Sequence, residues 1–506
     1  MFAEDEGTAQ IQAGNLQGGV PTPGYEAFLA ARELSGEGVV VSISDTGIDD
    51  RHPEHQGRVV TKINYTTAPS SPDTGGHGTH VAGIVGGYGA TFTYPQGITN
   101  RPEDHEGFLL GVGVAPKVRF VDQSIIPGGS FVGGAPASFE RYSADAVRAG
   151  AVAWNASWNT GAANSGYVAR ARSLDMVTRD ADFDADGGEP FTMVFSAGNS
   201  GPGARTITQP KEAKNIITVG STYSQRVLPA SASGADTVSS FSSRGPTRDG
   251  RIAPTVAAPG QDVVSSTSSS AGGSCTFPTS AGGAVPFAAG AVRYSTCSGT
   301  SMAEPQVTGA VALFDVWWRK ANDGADPSPA MSKALLVNSA TDMGTPNIPN
   351  GDEGWGRVNL GALFDHQASR VYLDQSVVFT DFDQAHEIAV TPADPSKPFK
   401  VTLTWSDAPA AAGASRTLVN DLDLHVIAPD GSSYAGNAFS MGWSVADAGT
   451  PDRLNNVENV FTPAAQPGTY QVRVSAYNVP GSAVPDSEEL ASQDFALVIS
   501  NARVAG

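Results

Sequence analysis

Gly38-Val39-Val40-Val41-Ser42-Ile43-Ser44 runs straight into Asp45-Thr46-Gly47, an apolar strand-like run that stops on an acid, a hydroxyl and a glycine. Two more such runs follow, Lys117-Val118-Arg119-Phe120-Val121 and Phe191-Thr192-Met193-Val194-Phe195, each ending in polar or Gly-rich sequence. Between them, Ser138 to Ala153 has the apolar spacing of an amphipathic helix. Buried strands alternating with helices predict an α/β fold, a parallel sheet covered on both faces. In such sheets the working residues sit at the carboxyl ends of the strands, and Asp45 and Asn199 fall at such ends. After about Arg370 the texture changes. Val401 to Trp405, Leu422 to Ile427, Tyr470 to Ala476 and Phe495 to Ser500 are short β-rich runs separated by turns such as Pro429-Asp430-Gly431. Two domains are expected: residues 1–370 with the parallel sheet, and residues 371–506 as an all-β sandwich or jelly roll.

Composition narrows the function. A chain of 506 residues suits two or three domains, and 40% apolar with 16% charged residues excludes a disordered chain. The 58 glycines and 34 prolines lack the period of collagen and point to many tight turns. A net charge of −20 repels phosphate backbones and anionic lipid, so no nucleic-acid or membrane partner is expected. No apolar run approaches the roughly 18 residues of a membrane helix. Met1 to Gln17 lacks the basic head and apolar stretch of a signal peptide. Cys275 and Cys297 are the only cysteines. They fit one disulfide or two inert thiols, not a disulfide framework or a four-ligand zinc site.

Three polar sites stand in glycine-rich settings. Asp45 closes the first strand. His77 lies in Gly75-Gly76-His77-Gly78-Thr79-His80-Val81-Ala82-Gly83, where an apolar helix begins. Ser301 lies in Ser298-Gly299-Thr300-Ser301-Met302-Ala303-Glu304-Pro305, ahead of the apolar stretch Val307 to Trp318. Pro305 is expected in the first turn of that helix, which puts Ser301 at or just before a helix N-terminus, where developing negative charge is favoured. A serine hydroxyl needs a histidine to take its proton, and the histidine needs a carboxylate to fix its tautomer. A mechanism with paired aspartates would also use Asp45-Thr46-Gly47, but it is set aside on the expectation that no second Asp-Thr-Gly or Asp-Ser-Gly occurs. A catalytically dead adhesion or carbohydrate-binding protein would explain the β-rich end alone.

With Ser196-Ala197-Gly198-Asn199, Phe241-Ser242-Ser243-Arg244-Gly245-Pro246 and Gly354-Trp355-Gly356-Arg357-Val358-Asn359 added, the chain resembles the subtilisin-like serine proteases over roughly residues 25 to 365. The β-rich end is similar to that of the secreted oxidation-resistant alkaline proteases, through Trp405-Ser406-Asp407-Ala408-Pro409 and Leu418-Val419-Asn420-Asp421-Leu422-Asp423-Leu424. The resemblance implies an endopeptidase with Ser301 as nucleophile, His77 as base then acid, Asp45 as its orienter and Asn199 as an oxyanion donor. It implies that Ser157-Trp158-Asn159 and Ser196-Ala197-Gly198 line the substrate cleft, and that His80 packs. Gln306 stands where many relatives carry His. An inhibitory pro-segment absent from this chain, secretion, a monomer and peptide substrates are implied as well. The oxidising compartment that the resemblance implies is expected to join Cys275 to Cys297. Met302, beside the nucleophile, is expected to be the oxidation-sensitive position.

Structural calcium is a further expectation. On a strand Asp421 and Asp423 share one face, and two carboxylates side by side ask for a hard cation between them. Asn456 and Glu458 repeat the arrangement. Asp182-Phe183-Asp184-Ala185-Asp186-Gly187 has the alternating acids of a calcium loop, but Met193 takes the place of its terminal Glu.

Overall fold

The structure, a computed structural model, describes residues 5–17, 20–66, 72–89, 92–93, 99–100, 103, 107–126, 138–186, 188–224, 234–270, 275, 294–485 and 491–505. Most of the Ser/Gly-rich stretch 265–283, expected from sequence to be an exposed loop, lies outside them; its described start departs from that expectation, since Ser265 and Ser266 end a buried strand. Seven parallel strands form the first sheet: β1 (Val40–Asp45), β2 (Val59–Asn64), β3 (Arg119–Ser124), β4 (Ala153–Ala156), β5 (Thr192–Ser196), β6 (Ile217–Tyr223) and β7 (Val256–Gln261). Their order is β7-β6-β5-β4-β1-β3-β2, so β1 lies inside the sheet, with Val41 opposite Phe120 on one side and Ala153 on the other.

Helices cover both faces, as the continuous apolar runs require. They are α1 (His77–Gly86), α2 (Phe139–Arg148), α3 (Ala169–Arg179), α4 (Thr300–Ala321) and α5 (Pro329–Ser339). Alternating residues of β1 divide between the two cores. Val41 and Ile43 pack with Val81 and Val85 of α1 and with Val307 and Val311 of α4. Val40 packs on the other side with Tyr142 of α2 and Leu174 of α3. The helix expected to reach Ala153 ends at Arg148, because Gly150 takes a positive φ of 86° and turns the chain into β4.

A short antiparallel ribbon, β8 (Val263–Ser266) with β9 (Tyr294–Cys297), leads to α4. Cys275 is disulfide-bonded to Cys297, with Cα atoms 5.0 Å apart.

From Arg370 onward the chain is β10 (Arg370–Phe379), β11 (Ala385–Pro392), β12 (Phe399–Thr404), β13 (Asp421–Ile427), β14 (Ser433–Ala435), β15 (Val457–Thr462), β16 (Tyr470–Asn478), β17 (Gln493–Ser500) and β18 (Ala502–Val504). They form two antiparallel sheets, β10-β17-β12-β15 and β14-β13-β16-β11-β18. Val401, Leu403, Leu497 and Ile499 of one sheet meet Leu422, Leu424, Val472 and Val474 of the other. The pleat sends the alternate residues Ala496 and Val498 outward, and these join the core of the parallel-sheet layer. Thr404 Oγ1 donates to Ala330 O of α5 at 2.6 Å, and Asn338 Nδ2 of α5 donates to Thr402 Oγ1 at 3.0 Å. The contact between the layers also buries an ion pair: Lys214 Nζ donates to Asp407, to Ala408 O at 2.6 Å and to Thr417 O at 2.7 Å. Asp407 accepts in turn from Val419 N and Asn420 N.

Candidate active site

Asp45 is the last residue of β1 and is fully buried. Its carboxylate accepts from Thr46 N at 2.7 Å, and both of its oxygens lie 2.9 Å from His77 Nδ1. His77 opens α1, and the next residue must be glycine: a Cβ on Gly78 would stand 2.3 Å from Gly47 O. The helix end therefore sits directly on the Asp-Thr-Gly turn. Asp73 fixes that end, accepting from Gly75 N and Gly76 N through one oxygen and from Thr79 N and Oγ1 through the other. Burial pushes His77 down, but the charge and hydrogen bond of Asp45, helped by Asp73, hold it above its ordinary value.

Asp73 belongs to a second Asp-Thr-Gly, at residues 73–75, so the expectation that none exists is corrected. It forms no aspartate pair with Asp45, because its oxygens cap α1 and those of Asp45 hold His77. An acid shortly before a helix start is a capping signal that the sequence reading passed over.

Ser301 is the second residue of α4. Pro305 lies in the second turn and not the first, as expected from sequence. A proline there has no N–H for the carbonyl four residues back, which is Ser301 O. Ser157 Oγ, just past β4, reaches that carbonyl at 3.1 Å, and Ser301 Oγ donates to Ser157 O at 3.0 Å. Among the described residues no hydrogen bond joins Ser301 to His77. Because β4 neighbours β1, these contacts bring Ser301 to the same end of the sheet as Asp45 and His77.

Asn199 follows β5. Its Oδ1 accepts from Thr300 N at 2.9 Å and from Thr300 Oγ1 at 3.0 Å. With the oxygen held, Nδ2 is left for an incoming group. A Cβ on Gly299 would lie 3.4 Å from Asn199 Nδ2 and 3.6 Å from Ser301 N. Glycine leaves the space bordered by these two donors free of a side chain. Thr300 also accepts from Gly198 N at 3.1 Å, a role that no sequence motif announced.

The expected cleft residues divide. Asn159 is exposed. Trp158 turns inward, donating through Nε1 to Ser44 O and packing on Phe139 and Phe195. Ser196 and Ala197 are buried. The indole of Trp158 thus lies in the aromatic core instead of in solvent, where it gains more. His80 packs, as expected: Nε2 bonds to Ser295 O at 3.0 Å, and one ring nitrogen and the two disulfide sulfurs lie within 4.8 Å of one another. Met302 is 2% exposed, which shields the thioether expected to be oxidation-sensitive. Gln306 bonds Gln12 and Thr8 of the N-terminal helix Asp5–Ala13, each at 2.7 Å.

The carboxylates expected to hold calcium do not fit it. Arg453 bonds both Asp421 and Asp423, so a guanidinium supplies the positive charge. Glu458 accepts from Leu424 N at 2.7 Å, and burial pushes it well above the usual carboxylate range. Asn456 faces away, bonding Trp405 O and Asn215. Arg148 bonds Asp182 and Asp184, and Asp186 is exposed.

Among curated proteins the chain is similar to the serine protease/ABC transporter B family protein tagB of Dictyostelium discoideum, 25% identical over 88% of this chain and 29% of that protein. It is similar to the serine protease AprX of Bacillus subtilis, 30% identical over 64% of this chain and 66% of that protein. The extracellular serine proteinase of a Thermus strain is 29% identical over 62% of this chain and 57% of that protein. The chain thus spans less than two thirds of the length of the relatives it matches first. The profile of the subtilase family covers residues 36–356, which hold Asp45, His77, Asn199 and Ser301; the chain belongs to the subtilase family.

Proposed function

We propose that the protein is a secreted serine endopeptidase that works through an acyl-enzyme on Ser301. The observation that carries the reading is the convergence on one end of the sheet: His77 with its Nδ1 held by both oxygens of Asp45, and Ser301 beside the donors of Asn199 Nδ2 and its own N–H. In the resting state the Ser301 hydroxyl points to Ser157 O. Attack begins when it turns from that carbonyl to His77 Nε2, which takes the proton and later returns it to the leaving amine. Asp45 keeps the other ring nitrogen protonated, and the two donors receive the negative charge on the carbonyl oxygen.

Secretion is supported by the Cys275–Cys297 bridge and by the name of the Thermus relative. An apolar or aromatic residue before the scissile bond is the preferred substrate, since neither cleft segment carries an acid. We place the domain boundary between residues 370 and 371, and read the enzyme as a monomer made with a removable inhibitory pro-segment. The test is labelling with a sulfonyl fluoride followed by peptide mapping. The label belongs on Ser301 and Ser301→Ala should be inactive; label elsewhere, or surviving activity, overturns the reading.

A further inference from the structure

One acid at the site has no part in this chemistry. Glu304 is fully buried one turn beyond Ser301 on α4. Its Oε1 accepts from Thr308 Oγ1 at 2.9 Å, and its Oε2 is bonded to Ser157 Oγ. Ser157 Oγ is also the group that reaches Ser301 O, the carbonyl whose helical partner four residues on is Pro305, which has no N–H to give. A hydroxyl has one proton to give. If Glu304 is ionised, that proton goes to the carboxylate and Ser301 O loses its donor. If Glu304 is protonated, its O–H donates to Ser157 Oγ and Ser157 Oγ donates to Ser301 O, so every partner is satisfied. Only the protonated form avoids a buried, uncompensated charge as well.

We propose that Glu304 works as a neutral acid, a positioning residue that aims the Ser157 hydroxyl at Ser301 O and so pins the nucleophile-bearing turn to the end of β4. The proposal rests on the peptidase reading. Burial raises Glu304 to about 8, with the nearby Asp45 charge adding to the rise against the hydrogen bonds of Ser157, Thr308 and Ala156. The titratable groups facing it are Asp45 at the end of β1, His77 on α1 and Lys211 before β6; only once ionised does its charge raise the last two.

Three variants read the proposal through the pH profile of kcat/KM on a peptide anilide. Wild type should lose activity at the alkaline side as Glu304 ionises, with a midpoint near pH 8. Glu304→Gln keeps a donor toward Ser157 and cannot ionise, so this alkaline loss should vanish. Its acid limb, set by His77, should stay in place, because a group already neutral has no charge to remove. Glu304→Ala should fall about tenfold below Glu304→Gln at pH 7, the worth of one hydrogen bond. Ser157→Ala, which breaks the relay but keeps the carbonyl, should also lose the alkaline limb. An unchanged alkaline limb in Glu304→Gln, a downward shift of its acid limb, or equal activity of the Gln and Ala variants overturns the proposal. Infrared spectra at pH 7 decide it without activity: wild type minus Glu304→Gln should show the carbonyl stretch of a protonated carboxyl. Absence of that band overturns the proposal in an active peptidase, whereas its presence in an inactive protein overturns the peptidase reading alone.

Discussion

Removing the Lys214 ammonium should destabilise the whole chain, not the β-sandwich alone. Lys214 and Asp407 are both 0% exposed, and they tie the segment before β6 to the end of β12. Burial raises Asp407 above its ordinary value even with the ammonium against it. Lys214→Met leaves that carboxylate with two backbone N–H donors and no counter-charge, and strands the carbonyls of Ala408 and Thr417. Breaking one side of a buried pair costs about 3–5 kcal/mol. At about 1 °C per kcal/mol for a chain of 506 residues, scanning calorimetry at a fixed rate should show a fall of roughly 3–5 °C. The cost should shrink as the pH is lowered, because the stranded Asp407 can then take a proton instead of staying charged. Lys214→Met with Asp407→Asn should recover more than about 1 kcal/mol relative to the sum of the singles. A single-variant melting shift under about 2 °C, or additive singles, would refute the view that this pair locks the two layers together.

Asn199→Leu should lower kcat by about 100- to 1000-fold with little change in KM, measured on a peptide anilide, because it removes a donor to the developing oxyanion. Since His77 must be neutral to act and is held above 6.5, the acid limb of kcat/KM should lie above pH 6.5, and Asp45→Asn should move it down. His80 is held near 3 against 6.5 when exposed, chiefly by burial. The unfolded chain therefore binds a proton below pH 6.5 that the folded chain refuses until about 3, and stability should fall across that window by up to about 5 kcal/mol. His80→Gln should flatten that part of a urea-melt series, and an unaltered slope would count against it. A chelator at matched ionic strength should leave Tm within about 1 °C, whereas Arg453→Met, which leaves Asp421 facing Asp423, should lower it.

The strands that hold the site were legible in sequence because both faces of the parallel sheet are apolar, so Val39 to Ile43 reads as one run. The antiparallel strands β10 and β11 were not, since half-exposed residues such as Gln375 and Glu387 break their pattern. Asp45, His77, Asn199 and Ser301 stood out through their glycine neighbours, and the structure gives those glycines steric reasons. What sequence could not supply was pairing across distance. Asp421 and Asp423 do share a face, but the cation between them comes from Arg453, 30 residues away from Asp423. Glu304 looked like one polar residue in an apolar helix. Its role rests on Ser157, 147 positions earlier, and on a missing N–H at Pro305.

The bridge between Cys275 and Cys297 has a bearing on how such an enzyme survives its own company. A peptidase at high concentration is surrounded by copies able to cut it, and backbone scission is ordinarily final. Between the two cysteines a cut is not: the 22-position separation is closed by a second covalent route, so both halves of the chain remain one molecule. The serine lies four residues beyond the second anchor, on the downstream half, while the histidine and aspartate lie on the upstream one. A nick inside the bridge would therefore leave all three joined, and its existence would show on a gel only after a thiol was added.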